Sequence, residues 1–297
     1  MLDNGNKKVI ALGYFDSVHI GHVAVIDSAK RLAKRLGASL TVFTFGGNLK
    51  KALSLADKTV VFTASERADV FEGLGGFSVL YASTEREFLS LSAKEFLDYL
   101  NAQENVVAYV CGRDYRFGVN GSGDVEFLMS YAKERFQTLE VVDIKTVDGK
   151  KVSTTLIKEL LATGNVIKAN ELLGRDYFIT GIVEKGRSVG KKLGFPTANI
   201  SVNRDKTELK NGVYYGYGVL DGKKYVAVIN YGAKPTFDVS AKNVEAHFIG
   251  FDGNLYGKEI KVFFKGYLRD IIKFKDGNAL IEQLSKDVVK AKEFCYD

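Results

Sequence analysis

The chain has 297 residues, 46% of them hydrophobic and 26% charged, which suits one large or two ordinary domains and excludes disorder, collagen-like repeats and coiled coil. No apolar run approaches the ~18 residues that cross a bilayer, and Met1 to Lys8 lacks the apolar stretch of a signal peptide, so a cytoplasmic location without a membrane partner is expected. The net charge of +6 is lopsided: residues 181–297 hold 20 Lys+Arg against 14 Asp+Glu, which points to an anionic partner there, either a phosphate-bearing small molecule or nucleic acid.

Val9 to Leu12 and Leu40 to Phe45 are apolar, β-rich runs that read as buried parallel strands. Between them Val23, Ile26, Ala29, Leu32, Ala33 and Leu36 recur at helical spacing and stop at Gly37, giving a βαβ unit. Two further strands are expected at 106–110 and 139–142. Helices are expected at 63–73, at 92–101 behind the capping box Ser92 to Glu95, at 123–135 and at 154–163. The first half, 1–175, therefore reads as a doubly wound α/β domain. From 176 to 297 the texture changes to short β-branched and aromatic segments at 177–183, 213–220, 224–231, 244–250 and 259–267, with Asp221-Gly222 as a hairpin signal. Helical periodicity returns only at 276–294. The second half reads as a small antiparallel β-barrel with a C-terminal helix. Cys111 and Cys295 have neither paired spacing nor scaffold density and read as reduced packing residues.

Gly13-Tyr14-Phe15-Asp16-Ser17-Val18-His19-Ile20-Gly21-His22 links the first strand to the first helix, at the sheet edge where open α/β folds bind ligands. Free N–H groups and the helix dipole attract anions there, and two imidazoles flanking Gly21 can donate to phosphate oxygens. A second phosphate-binding geometry lies at Ser153-Thr154-Thr155-Leu156-Ile157-Lys158, hydroxyls at a helix start with a cation one turn on. The loop Gly112-Arg113-Asp114-Tyr115-Arg116-Phe117-Gly118 offers glycines, aromatics and charges beside them. Each of the last two segments, taken alone, is also compatible with a plain helix cap or loop.

In the second half, Gly186, Gly190 and Gly194 recur at four-residue spacing among Arg187, Lys191 and Lys192, a loop whose backbone can wrap phosphates. It is not a Walker loop, because no Lys-[Ser/Thr] pair follows the last glycine. Pro196-Thr197-Ala198-Asn199 follows; in extended chain Thr197 and Asn199 share a face, and their hard oxygens suit Mg²⁺. Val244-Glu245-Ala246-His247-Phe248 alternates, so Glu245 and His247 share one face while Val244 and Phe248 point to the core. A carboxylate so placed can take the proton of a substrate hydroxyl. Asn230 to Phe237 reads as a strand-ending turn.

In both halves these motifs resemble the bacterial bifunctional riboflavin kinase/FMN adenylyltransferases, or FAD synthetases. G-x-F-D-x-x-H-x-G-H, the glycine-aromatic loop at 112–118 and V-S-x-T-x-I come first. G-x-x-x-G-x-x-x-G-F-P-T-A-N, N-x-G-x-x-P-T-F, V-E-x-H, D-x-x-L-Y-G and L-R-D-x-x-K-F follow in the family's order and cover nearly the whole chain. The resemblance implies riboflavin, FMN and ATP as substrates, FAD as product, Mg²⁺ as cofactor and no nucleic-acid partner. It makes His19 and His22 catalytic in adenylyl transfer, with Gly13, Phe15, Asp16, Gly21, Gly112, Asp114, Ser153, Thr155 and Lys158 around the nucleotide. It makes Glu245 the base for the ribityl 5′-hydroxyl, Thr197 and Asn199 the metal ligands, and Gly186, Gly190, Lys192 and Gly194 phosphate contacts. Asn48, Phe117 and Arg269 are then flavin contacts. Four departures stand out: Ser17 for a usual glycine, Lys158 for an arginine, Ile271 for an acidic residue, and Phe45-Gly46-Gly47-Asn48 where a Pro-His-Pro-type turn is usual. The last leaves open a kinase with a weakened first domain, and the basic barrel leaves open a flavin- or RNA-binding regulator.

Overall fold

Lys8–Leu12 (β1) is the strand around which the first unit is built: Val9, Ile10 and Ala11 are wholly buried, as an all-apolar run covered on both faces must be. The computed structural model describes residues 7–186, 190, 193–233 and 242–296. The chain divides into two compact units, Met1–Thr154 and Thr155–Asp297.

In the first unit β1 leads into α1 (Ile20–Leu36), β2 (Ser39–Phe45), α2 (Leu49–Ala52), α3 (Ala64–Leu74), β3 (Ser78–Ala82), α4 (Arg86–Leu89), α5 (Ala93–Gln103), β4 (Val106–Gly112), α6 (Val125–Glu134) and β5 (Thr138–Val142). The five strands are parallel in the order β3-β2-β1-β4-β5, with Leu12 level with Phe43 on one side and Cys111 on the other. Strand order reverses between β1 and β4, the switch point at which such sheets open a ligand crevice. Helix α1 buries Val25, Ile26, Ala29, Leu32 and Ala33, and ends as its sequence requires, with Gly37 in the left-handed conformation at φ 60° and Lys34 and Arg35 at the negative end of the dipole. Helices α3 and α5 each open on a complete capping box, Thr63/Glu66 and Ser92/Glu95. A short hairpin, β6 (Thr146–Val147) and β7 (Lys150–Lys151), leaves the sheet after β5.

Three features differ from the sequence expectation. Strand β3 is a half-buried edge of five residues, too short and too mixed to show a period. Helices α2 and α4 are single turns. The hairpin was not expected, although Asp148-Gly149 carries the same turn signal that marks 221–222; its strands are only two residues each.

In the second unit α7 (Thr154–Ala162) and α8 (Val166–Leu173) precede a closed barrel. Its strands are β8 (Tyr177–Glu184), β9 (Ala198–Ser201), β10 (Gly212–Leu220), β11 (Lys223–Ala233), β12 (Lys242–Phe248) and β13 (Glu259–Arg269), hydrogen-bonded in the order β10-β11-β12-β9-β8-β13 and back to β10. The last element is α9 (Gly277–Tyr296). Two expected boundaries move: β12 stops at Phe248, because Ile249 and the left-handed Gly250 turn the chain, and Asn230 to Ala233 stay in β11 rather than forming a turn. Lys234 to Phe237 lie outside the described residues. The eight-residue α8 was missed because its core stripe is short; Asn170 fixes it to the barrel, donating to the Phe264 carbonyl at 2.9 Å and accepting from Tyr177 N at 2.8 Å. The barrel closes by glycines as well as by apolar side chains: a Cβ on Gly216 would lie 1.9 Å from the Phe263 carbonyl oxygen, so only glycine lets β10 and β13 approach there.

Both cysteines are free thiols; burial pushes the thiol of fully buried Cys111 up to about 12, which keeps it inert.

Candidate functional sites

The loop from β1 to α1 is buried after its first two residues, with Phe15, Asp16, Ser17 and Val18 each at most 2% exposed. Phe15 and Val18 take φ of 51° and 43°. For a β-branched residue that conformation is strained, costing about 1–3 kcal/mol, and the surrounding packing holds it. The Phe15 ring fills the space beside Gly13, where a Cβ would lie 2.6 Å from it, and meets the His22 ring edge-on at 5.3 Å. Asp16 is directed inward, accepting from Val61 N and pairing with Lys50 at 3.2 Å, so its carboxylate anchors the loop.

His19 caps α1. Its Nδ1 accepts from His22 N at 3.1 Å, and the two imidazoles stack 3.6 Å apart. An Nδ1 that accepts leaves the proton of the neutral ring on Nε2, so the His19 donor is Nε2–H. Gly21 leaves room for this ring, since a Cβ would lie 3.0 Å from it and press on the His19 position. Capping and phosphate binding are thus compatible roles for this histidine.

These residues form one wall of a cleft of about 320 Å³. Gly112, Asp114, Tyr115 and Arg116 from the loop after β4 form another, and Lys145, Lys151, Ser153 and Thr154 close it. Thr154, which the sequence places among the hydroxyls of this segment without assigning it a nucleotide contact, has its hydroxyl 3.0 Å from that of Ser17. That contact gives the serine at the usual glycine position a partner. Thr155 and Lys158 follow within α7, Lys158 buried.

A second cleft, about 440 Å³ and largely apolar, shares Gly13, Tyr14, Tyr115 and Arg116 with the first. Phe45, Leu49, Leu53, Phe88 and Phe117 line it, over the core cluster that includes Phe43 and Phe96. Phe117 lies parallel to Tyr115 at 5.6 Å. Asn48 instead caps α2, accepting from Lys51 N and donating to the Lys58 carbonyl, so its neighbour Leu49 reaches the cleft. The glycine turn that replaces prolines is packed: Gly46 N continues the ladder to Ala82 O at 2.9 Å, and a Cβ on Gly47 would lie 2.8 Å from the Thr84 hydroxyl. Arg67, which sequence reasoning did not single out, is 2% exposed and donates to the carbonyls of Tyr14 and Phe45, the chain segments leaving β1 and β2. Burial and the neighbouring Asp16 raise the Tyr14 phenol to about 12, so it stays protonated.

In the barrel, Glu245 on β12 stands directly across from Asn199 on β9 and Asn230 on β11. The Asn243 carboxamide, 8% exposed, donates to Glu245 Oε1 at 3.1 Å and to Asn199 Oδ1 at 3.3 Å. Val244, Ala246 and Phe248 face the core, as the alternation requires. The same period puts Asn243 on the Glu245 face, a residue that sequence reasoning had the means to find. His247 accompanies them, its Nδ1 2.8 Å from the Pro196 carbonyl and its ring edge-on to Phe195.

A cleft of about 270 Å³ is lined by Thr197, Ala198, Ala246, Phe248, Asp252 and Tyr256 among others, the β12 residues on the face opposite Glu245, so that neither Glu245 nor Asn243 lines it. Thr197 lines it and Asn199 does not: β9 begins at Ala198, so the strand alternation that put the two on a shared face does not extend to Thr197. Asn199 is held by Asn243 and by Gly186, where a Cβ would sit 2.2 Å from the Asn199 amide nitrogen. Gly190 accepts from Leu193 N and Phe195 N, Gly194 is left-handed at φ 82°, and Lys192 with Arg187, Ser188, Val189 and Lys191 lies outside the described residues. Arg269 sits at the end of β13, with Nε and Nη2 on the Asp287 carboxylate at 2.7–3.1 Å and Nη1 on the Asp270 carbonyl. Each of its three nitrogens donates to the protein, which makes it a strut between β13 and α9.

A family model described as FAD synthetase matches residues 2–156, and one described as riboflavin kinase matches residues 173–295. A bifunctional riboflavin kinase/FMN adenylyltransferase of Listeria monocytogenes is 34% identical over 97% of this chain and 92% of its own length. The protein of that description from Bacillus subtilis is 35% identical over 96% and 92%. A solved structure from Streptococcus pneumoniae, titled as a macrolide-efflux protein, superposes with a TM-score of 0.88 at 28% identity, covering 97% of this chain and 94% of that one. Among the described residues no helix is long and apolar enough to cross a membrane.

Proposed function

We propose how the clefts divide two reactions, from the premise that this chain belongs to the bifunctional riboflavin kinase/FMN adenylyltransferase family. It phosphorylates riboflavin with ATP to FMN and adenylylates FMN with ATP to FAD and pyrophosphate.

Phosphorylation belongs to the barrel. Glu245 takes the proton of the riboflavin primary hydroxyl as that oxygen attacks the γ-phosphorus of ATP, and ADP leaves with the bridging oxygen. The carboxylate needs a fixed aim for this, and the Asn243 carboxamide supplies it by engaging one oxygen and leaving the other to the substrate. By donor chemistry Mg²⁺ suits the Thr197 hydroxyl and the Asn199 carboxamide, both hard oxygens, although of the two only Thr197 lines the cleft; Asn199 Oδ1, which accepts one hydrogen bond from Asn243, keeps a second lone pair. Held by these two, the ion would neutralise charge on the transferring phosphates. The glycines at 186, 190 and 194 bring backbone close to those phosphates.

Adenylyl transfer belongs to the paired clefts of the first unit. The polar one takes ATP, its α-phosphate at the N-terminus of α1 with the donors of His19 and His22. Gly13, Gly21 and Gly112 allow close approach, Ser153 assists the phosphates, and Asp16 and Asp114 organise the loops. The apolar one takes the flavin ring against Phe117 and Tyr115, with Asn48 shaping its rim through α2. The shared wall at Tyr14 and Tyr115 supports delivery of the FMN phosphate toward the α-phosphate. The apolar cleft is complete without the proline turn, which favours an active first domain over a kinase alone.

The observation that carries the kinase assignment is the hydrogen-bonded set Asn199–Asn243–Glu245 across β9 and β12. Steady-state FMN formation by Glu245→Gln tests it. A fall of about 10²–10⁴ in turnover, with riboflavin and ATP binding within a few-fold of wild type, is expected. Unchanged turnover would make Glu245 a wall residue.

A further inference from the structure

We propose that Lys145 is the ligand for the phosphates that leave as pyrophosphate in adenylyl transfer. The inference rests on reading the polar cleft of the first unit as the adenylyl-transfer site.

Lys145 lies on the cleft wall and is exposed to it. It sits over the first turn of α1: a Cβ on Gly21 would be 3.6 Å from the Lys145 Cβ, and only 3.0 Å from the His19 ring. The lysine therefore shares a neighbourhood with the imidazoles and the open N–H groups of the helix. Its backbone is fixed. Val152 N donates to the Lys145 carbonyl at 2.9 Å, next to hairpin β6–β7, where Thr146 faces Lys151 and Val147 faces Lys150. Asp148 and Gly149, at φ 50° and 72°, close that hairpin in a tight two-residue turn. One end of the device is thus tied to the entrance of α7 at Ser153 and Thr154, and the other to α1.

The neighbouring cations are engaged. Arg113 is held by Asp143 at 2.6 Å, Arg116 by Asp124 at 3.3 Å, and Lys151 by Asp114. Among the described residues no carboxylate pairs with Lys145. A cation without a counter-charge, aimed into a cleft already built for anions, raises the local concentration of a polyphosphate and stabilises charge that grows on it.

Position assigns the phosphates concerned. Lys145 lines the polar cleft only, whereas Gly13, Tyr14, Tyr115 and Arg116 line both. In an in-line displacement the nucleophile and the leaving group stand on opposite sides of the α-phosphorus. With FMN entering from the apolar cleft, the leaving side is the part of the polar cleft that the apolar one does not share, and we assign Lys145, which lines only the polar cleft, to that side. A phosphate oxygen of FMN forms the new bond to the α-phosphorus, and the bond from that phosphorus to the α,β-bridging oxygen breaks. Pyrophosphate departs with the oxygen and the electron pair. The attacking oxygen is already anionic, so no base is needed, and negative charge moves toward Lys145 as the bond breaks.

The test uses the full chain with Lys145→Gln and Lys145→Arg, following FAD formation from FMN and ATP and the reverse formation of ATP from FAD and pyrophosphate. Lys145→Gln is expected to raise the KM for pyrophosphate and lower forward kcat, each by about 10- to 100-fold. The KM for FMN and the rate of FMN formation in the barrel stay at wild-type values, and Lys145→Arg recovers most of the loss. An unchanged pyrophosphate KM in Lys145→Gln overturns the assignment. Absence of both directions in wild type overturns the adenylyl-transfer reading itself, and the inference with it.

Discussion

Asn199 and Glu245 face each other as cross-strand partners on β9 and β12, and the buried Asn243 carboxamide donates to both. A proposed metal ligand and a proposed base are thus held in one register by a single side chain. Asn199→Ala is expected to raise the Mg²⁺ concentration needed for half-maximal FMN formation by more than it raises the KM for riboflavin. Superimposable Mg²⁺ titrations of variant and wild type would remove Asn199 from the ligand set.

Gly186 bears on the same group from outside the strand. A Cβ there would lie 2.2 Å from the Asn199 amide nitrogen, a distance no packed pair tolerates, while Gly186 itself is exposed. Gly186→Ala should therefore lower kinase turnover about tenfold by turning the Asn199 carboxamide, with a thermal midpoint within a few degrees of wild type because no core is disturbed. Unaltered turnover would mean that the orientation of Asn199 is immaterial.

Arg269 and Asp287 make the most enclosed ion pair described in the second unit, Asp287 being 2% exposed and also accepting from Gln283 Nε2 at 2.9 Å. Leaving one charge of a buried pair alone costs about 3–5 kcal/mol. Asp287→Ala should lower stability by about that amount and loosen α9, measured by denaturant unfolding. A loss of flavin affinity at full stability would instead return Arg269 to the role of a ligand contact.

The barrel's own boundary can be tested by truncation. Asn170 on α8 bonds to Tyr177 N and to the Phe264 carbonyl, and Lys210 N donates to the Leu161 carbonyl on α7. A fragment of residues 155–297 should phosphorylate riboflavin and melt higher than one of residues 176–297, which discards those bonds. Equal midpoints would show that α7 and α8 add nothing to the barrel.

Much of this was legible in the chain because the signals were local. Strands β1, β2 and β4 announced themselves as apolar runs, α1 as an amphipathic period closed by Gly37, and Glu245 as one tooth of an alternating strand. What escaped depended on distant partners. Arg67 reads as an ordinary surface arginine of a helix, and only the fold brings it to the carbonyls of Tyr14 and Phe45. Asn48 and Arg269 sit in motif positions that suggest ligand contact, yet their polar groups cap α2 and brace α9. Thr197 fell just outside β9, where the period of two no longer governs direction. The apolar cleft was the least legible feature, since Phe45, Leu49, Phe88 and Phe117 come from four separate segments.

The division of two chemistries between two units is most directly tested by chromatography of the flavins formed from riboflavin and Mg-ATP by wild type and by His22→Ala. Wild type should yield FMN and then FAD, and His22→Ala should yield FMN at the wild-type rate with FAD formation reduced by at least about 100-fold, the cost of losing a donor aimed at transition-state charge. Loss of both products in the variant, or FAD formation at the wild-type rate, would contradict the account.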